Sequence, residues 1–303
     1  MKYDIICFIN SASSNVNYQN FHDTVESINR CCNCKIAFYI VTDRIEHSIE
    51  FSSIFNNLKI EESLLDIKVI SDSWANCFNS FVKEYSDMCE YILVSHDDLV
   101  VKTFDFFNIT INQIKNHESD IAWIGFTSDY YYRNEGRLIT QSAREIFCKD
   151  AISGKTFELH NMDDVFDEVK LDYPKKVCKV PGIYSHFNMI KSDNLLKIGL
   201  CENWGEYTLL IDEDWSLSTL VNKMWTVWVP EVFYEHPLRY NSREVLGIKN
   251  ELNVNQMFKD KWGFSYLEGY PSKEKIDEIC QRYIGTNIDF FNEINSYDYQ
   301  YFD

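Results

Sequence analysis

The chain has 303 residues, 45% of them hydrophobic and 16% aromatic, which suits one large buried core and excludes a disordered protein. A formal net charge of −18 excludes nucleic acid as a partner, since that binding rests on Lys and Arg neutralising phosphates. No stretch reaches the roughly 18 apolar residues of a spanning helix, and ten cysteines behind a start that lacks a signal-peptide pattern point to reduced thiols in the cytoplasm.

In chain order, short apolar runs alternate with amphipathic stretches. Residues 4–9 read as a strand, and Phe21, Val25 and Ile28 then recur at i, i+4 and i+7, the stripe of an amphipathic helix. Cys31-Cys-Asn-Cys34 holds one C-x-x-C with no second pair at zinc-ribbon spacing, a weak metal or redox signal. Residues 35–41 form the second expected strand, ending in Thr42-Asp43, and 66–70 the third. Past Ser73, one helix face collects Phe78, Phe81, Val82 and Tyr85. Residues 91–95 are short, apolar and β-branched, a buried fourth strand that leads straight into His96-Asp97-Asp98. A helix over 104–114 and a strand over 120–126 complete this half. The alternation predicts an α/β fold, a mostly parallel sheet with helices on both faces.

The rhythm breaks over 127–180, a long Tyr-rich insertion of the kind that carries substrate specificity. It resumes with an apolar stretch at 184–190, a helix over 192–198 closed by Gly199, and an acidic run Asp212-Glu213-Asp214-Trp215 opening a helix to about residue 222. The apolar run 225–229 ends at Pro230. These elements predict a domain over 1–265, with 127–180 inserted in it, and a helical then polar tail over 266–303 that extends its C-terminus. With ten glycines, neither G-x-G-x-x-G nor the Walker A pattern occurs, which disfavours Rossmann dehydrogenases and P-loop enzymes.

Three clusters follow strand candidates: His96-Asp97-Asp98, Asp212-Glu213-Asp214, and Glu235-His236. Open α/β sheets bind ligands beyond the carboxyl ends of their strands, where adjacent carboxylates need a cation or hydrogen-bond donors. Mn²⁺ or Mg²⁺ accepts carboxylate oxygen, and Mn²⁺ accepts imidazole nitrogen as well, so Asp98 and His236 are the expected metal ligands.

At this point the chain resembles the GT-A glycosyltransferases, family 2 and its relatives. The motifs are Val41-Thr-Asp43, Ser73-Trp-Ala-Asn76 with Asn79, Ser95-His-Asp97-Asp98 in place of a DxD, Glu213-Asp-Trp-Ser-Leu217, His236, and Phe258-Lys-Asp-Lys-Trp-Gly263. They cover about 1–126 and 181–265, and their order carries the likeness. The resemblance implies a Rossmann-like GT-A sheet and metal-dependent, inverting transfer of a sugar from a nucleoside diphosphate donor, a UDP-sugar foremost. The acceptor would be a hydroxyl on a glycan, lipid-linked oligosaccharide or glycoprotein of polysaccharide biosynthesis, with peripheral membrane contact through that acceptor. It implies Asp214 as general base, Ile9, Asn10, Ser11, Asp43 and Asn79 around the nucleotide, Asp97 on ribose or sugar hydroxyls, and Asp98 with His236 on the metal.

Plainer explanations stand beside these roles. Asp212 and Asp214 suit a helix N-terminus, where an acid stabilises by about 0.3–1 kcal/mol, and Glu213 competes as the base. Asp43 can cap the segment after its strand, His236 can sit in a turn before Pro237, and His96 reads as a strand-end side chain without a role. His186 fits either an acceptor contact or a core histidine, and Trp204 either packing or a sugar-stacking wall. Other readings are a catalytically silent carbohydrate binder, a retaining transferase, and a phosphoesterase, for which the seven histidines are few.

Overall fold

The structure, a computed structural model, describes residues 2–11, 16–128, 130–134, 137–140, 158–159, 176–180, 183, 186–200, 211–236, 251–265, 278–279, 281–282 and 300–301. Trp204, most of the 127–180 insertion, most of the tail and the Glu213 side chain lie outside the described residues. A sheet of ten strands organises the rest. Its strands are β1 (Tyr3–Asn10), β2 (Ile36–Thr42), β3 (Leu64–Val69), β4 (Cys89–Ser95), β5 (Val100–Val101) and β6 (Ile121–Ser128). A separate three-stranded sheet holds β7 (Tyr130–Asn134), β8 (Arg137–Thr140) and β9 (Glu158–Leu159). Then β10 (Cys178–Val180), β11 (Phe187–Lys191), β12 (Trp225–Glu235) and β13 (Gln300–Tyr301) rejoin the large sheet. The helices are α1 (Tyr18–Cys32), α2 (Ile45–Leu58), α3 (Trp74–Tyr85), α4 (Phe106–Ile114), α5 (Ser192–Ile198), α6 (Ile211–Val221) and α7 (Glu251–Trp262).

The strand order is β13-β10-β12-β6-β11-β4-β1-β2-β3, with β5 on β12. β1 runs parallel to β2 and β4, β2 to β3, and β12 to β6, while β11 is the antiparallel strand wedged between β4 and β6. Two antiparallel steps restore direction, so β4, β6 and β12 point the same way as β1. All of them end at one edge.

The central strands are apolar on both faces because both faces are covered. Ile6 and Phe8 of β1 share one buried layer with Phe78 and Phe81 of α3 and Trp215 of α6. Ile5, Cys7 and Ile9 face the other, against Phe21, Val25 and Ile28 of α1 and Phe51 and Phe55 of α2. The expected α1 stripe is therefore the buried one. Asn17 caps that helix by accepting from the backbone N–H of Gln19 at 3.0 Å, and Ser73 caps α3 by accepting from Asn76 N–H at 3.2 Å.

Two of the boundaries that differ from the sequence expectation have a visible local cause. α4 begins at Phe106, because Asp105 takes the left-handed conformation (φ 63°) that a short polar side chain tolerates, leaving Phe104 63% exposed. The run expected to end at Pro230 continues as β12 to Glu235. Its register breaks between Val229 and Phe233, so the missing proline N–H falls where the ladder is already interrupted. Thr127 Oγ1 donates to the Pro230 carbonyl at 3.0 Å, and pairing resumes at Phe233–Thr127 and Tyr234–Ser128.

Phe8 meets Phe78 at 5.2 Å and Phe81 at 5.3 Å between ring centroids, in the middle of the first layer. Phe8→Ala is expected to cost about 3–5 kcal/mol in urea unfolding, while Phe104→Ala stays within about 0.5 kcal/mol. Equal effects would show that the layer is not where stability resides.

Candidate metal centre at the strand tips

The shared strand direction brings Asn10 and Ser11 after β1, Asp43 after β2, His96-Asp97-Asp98 after β4 and His236 after β12 to one edge. β11, running the other way, starts there, and the carbonyl of His186 just before it accepts the backbone N–H of His96 at 2.8 Å. The tips of β1 and β4 are joined by Ser11, whose hydroxyl donates to the Asp97 carboxylate. Beside them, Asn10 Oδ1 and Asp43 Oδ1 are buried without a hydrogen-bond partner among the described residues. Buried acceptors left open in this way suit a ligand carrying donor groups.

Asp98 and His236 meet. His236 Nε2 lies 3.0 Å from Asp98 Oδ1 and 3.3 Å from His96 Nδ1, and one ligand atom from each of the three lies within 4.8 Å of the others. Two imidazole nitrogens and one carboxylate oxygen form a donor set that Mn²⁺ accepts more readily than Mg²⁺ does. Metal bonds of about 2.1 Å at right angles set neighbouring donors about 3 Å apart, which the two measured separations match. The residues fit a divalent ion.

Electrostatics separate the two acids. Burial pushes Asp97 up to about 6 against the opposing bond from Ser11. For Asp98, burial works upward too, but the His236 hydrogen bond and the two neighbouring imidazoles prevail and hold it below the usual carboxylate value. Burial, with His236 beside it, pulls His96 down to about 4, so its ring is neutral near pH 7, the form that ligates metal.

Neither a protein-family model nor a curated protein sequence matches the chain. Solved structures do. The chain superposes on GalNAc-T7, solved with UDP, GalNAc and Mn²⁺, with a TM-score of 0.60 and 11% identity over 97% of this chain and 57% of that one. It also matches the mannosyltransferase PcManGT from Pyrobaculum calidifontis in complex with GDP-Man and Mn²⁺, with a TM-score of 0.54 and 8% identity over 93% of this chain and 69% of that one. The fold is GT-A. The chain spans just over half of the GalNAc-T7 structure.

The expected site residues are distributed over several elements of this GT-A frame. Asp98 and His236 come together, and Asn10, Ser11, Asp43 and Asp97 share their edge. Ile9 is wholly buried in the α1–α2 layer and paired with β2 and β4 on either side. Asn79 sits half-buried in the second turn of α3. Asp214, 2% exposed on α6, is tied to α7: Trp262 Nε1 donates to its Oδ1 at 2.8 Å, and Lys261 Nζ lies 2.8 Å from the same oxygen.

His96 was expected to have no role, and it is the third member of the cluster. The three ligand atoms converge although 97 and 98 lie in a bend past the end of β4, where strand alternation no longer sets side-chain direction. His186 joins them as a supporting ring, stacked on His236 at 4.4 Å and edge-on to His96 at 4.6 Å. No helix among the described residues is long and apolar enough to cross a membrane.

Calorimetric titration with MnCl₂ tests the cluster. Asp98→Ala and His96→Ala are each expected to weaken binding by more than the about 10–100-fold that changes around a metal shell cost, and Asp97→Asn by less. Unchanged affinity in His96→Ala would remove that residue from the shell.

Proposed function

We propose that the protein is a metal-dependent glycosyltransferase that moves a sugar from a nucleoside diphosphate donor, a UDP-sugar foremost, to a glycan-type acceptor hydroxyl with inversion. The observation that carries this reading is the His96–Asp98–His236 cluster at the carboxyl edge of a GT-A sheet. Similar structures holding UDP, GalNAc and Mn²⁺, or GDP-Man and Mn²⁺, support the choice of ligand class. The acceptor is placed in surface polysaccharide synthesis at the cytoplasmic side, with the 127–180 insertion facing it and the 1–265 segment forming the catalytic domain.

In this reading His96, Asp98 and His236 hold Mn²⁺ or Mg²⁺, which offsets the negative charge gathering on the diphosphate as it leaves. Asn10 Oδ1 and Asp43 Oδ1 accept hydrogen bonds from the base or ribose, and the backbone from Ile9 to Ser11 lines the same pocket. Ser11 orients Asp97 so that its carboxylate faces sugar hydroxyls. Asn79, on the second turn of α3, is assigned to the nucleotide on the resemblance alone. Asp214 takes the proton from the attacking acceptor hydroxyl. Lys261 Nζ stands 2.8 Å from the same carboxylate, so the base role stands or falls on a direct measurement.

A thermal-shift screen of nucleoside diphosphate sugars with Mn²⁺ is the first test. The true donor at 100 times its Kd stabilises the fold by about 2.7 kcal/mol, and a screen in which no nucleoside diphosphate sugar raises the Tm would end the reading. Asp214→Asn is expected to keep donor and Mn²⁺ binding while transfer drops about 10²–10⁴-fold. Full transfer in that variant would leave Asp214 as an anchor for α7 alone.

A further inference from the structure

At the opposite edge of the sheet, the C-terminus of α1 carries a pair of thiols that the strand-tip site does not use. Cys32, the last residue of the helix, is wholly buried, and Cys34 is half-buried two positions further on. Asn33 between them is in the left-handed conformation, φ 52° and ψ 36°, which asparagine tolerates better than most residues at a helix end. That single reversal turns residue 34 back on residue 32, and the two Sγ atoms stand 3.0 Å apart. The turn is fastened on both sides. Asn33 Nδ2 donates to Asp105 Oδ1 at 3.1 Å, and the backbone N–H of Lys35 donates to Asp4 Oδ2 at 2.8 Å.

The third cysteine of the motif is engaged elsewhere. Cys31 Sγ points to β5 and donates to the Val101 carbonyl at 3.5 Å. The pairing suggested by C-x-x-C spacing, Cys31 with Cys34, is therefore not the one the fold assembles. The sulfurs in contact belong to a C-x-C pair.

We propose that Cys32 and Cys34 form a redox-modifiable dithiol, oxidised to an intramolecular disulfide by a low-molecular-weight disulfide. Cys34, the more accessible of the two, attacks as thiolate one sulfur of that oxidant and releases one small thiol. Cys32 then attacks the Cys34 sulfur of the mixed disulfide and passes its proton to the second small thiolate, which leaves as a thiol. Two protein thiols are oxidised and one small disulfide is reduced to two thiols. The second attack runs between neighbouring sulfurs, so the burial of Cys32 does not obstruct it; they close from contact to a bond of about 2.05 Å.

The test uses the full chain under native conditions with excess oxidised glutathione. The reaction is stopped with iodoacetamide in urea, and the digest is mapped by mass spectrometry. The expected result is a peptide with residues 32 and 34 unalkylated and two hydrogens lighter, restored by dithiothreitol. The bond persists in Cys31→Ser, whereas in Cys32→Ser it is replaced by a glutathione adduct on Cys34. Alkylation of both residues in the unsubstituted chain would overturn the proposal. So would a stable glutathione adduct there, or loss of the bond in Cys31→Ser, which would assign it to Cys31.

Discussion

The contact between Asp98 and His236 joins residues 138 positions apart in sequence, and the site exists only because the sheet forces them together. His236 is 5% exposed, so its ring is committed to the interior before any ligand arrives. Its position depends on β12 running through Pro230 instead of stopping there. Had the strand ended at the proline, residues 231–236 would be free to leave the sheet, and Asp98 would face water across an open edge. The broken register absorbs the missing N–H, Thr127 takes the free carbonyl, and β5 pairs Tyr234 with Val101 to hold the last stretch. A local irregularity in one strand is thus what delivers an imidazole to the tip of another.

Charge explains why this edge carries a nitrogen-rich donor set. The chain is strongly acidic, and the nucleoside diphosphate donor proposed for it is acidic too, so their association would be unfavourable without a local cation. A shell of carboxylates alone would deepen the repulsion in the absence of metal. Imidazoles avoid that: with His96 uncharged, the cluster holds one carboxylate in place of several. The second acid is kept apart by the hydroxyl of Ser11, which leaves two adjacent aspartates in different environments.

Much of this was legible in the sequence, for physical reasons. The strands 4–9, 35–41 and 91–95 stood out because buried parallel strands are apolar on both faces, and the α1 stripe because a two-sided sheet imposes helical periodicity on the elements covering it. Asp98 and His236 were recognisable as chemistry at strand ends. The grouping of His96 with them was not, because 97 and 98 lie in a bend past the end of β4, where no periodicity marks which side chains share a side. The antiparallel insertion of β11, which sets His186 against both other rings, is a matter of strand order, and one sequence does not encode that visibly. Pro230 misled because proline ends strands unless a bulge happens to sit beneath it. The strand at Gln300–Tyr301 is two residues long, too short for any periodicity to mark.

The loop that carries Asp98 is held from behind as firmly as from across the sheet. Thr24 of α1 donates through Oγ1 to the Leu99 carbonyl at 2.8 Å and accepts from the Leu99 N–H at 3.0 Å. Ser27 accepts the Val101 N–H at 3.0 Å, and Cys31 reaches the Val101 carbonyl. Both backbone groups of Leu99 and of Val101 are thereby occupied by side chains one and two turns apart on a single helix face. A turn after a strand ordinarily leaves such groups to water and moves with it. Here α1 replaces the water, so the backbone just past Asp98 is fixed to a helix whose own stripe is locked in the core. The carboxylate is therefore positioned before a cation binds, and the ordering that a floppy acidic loop would need on binding has already been met by folding.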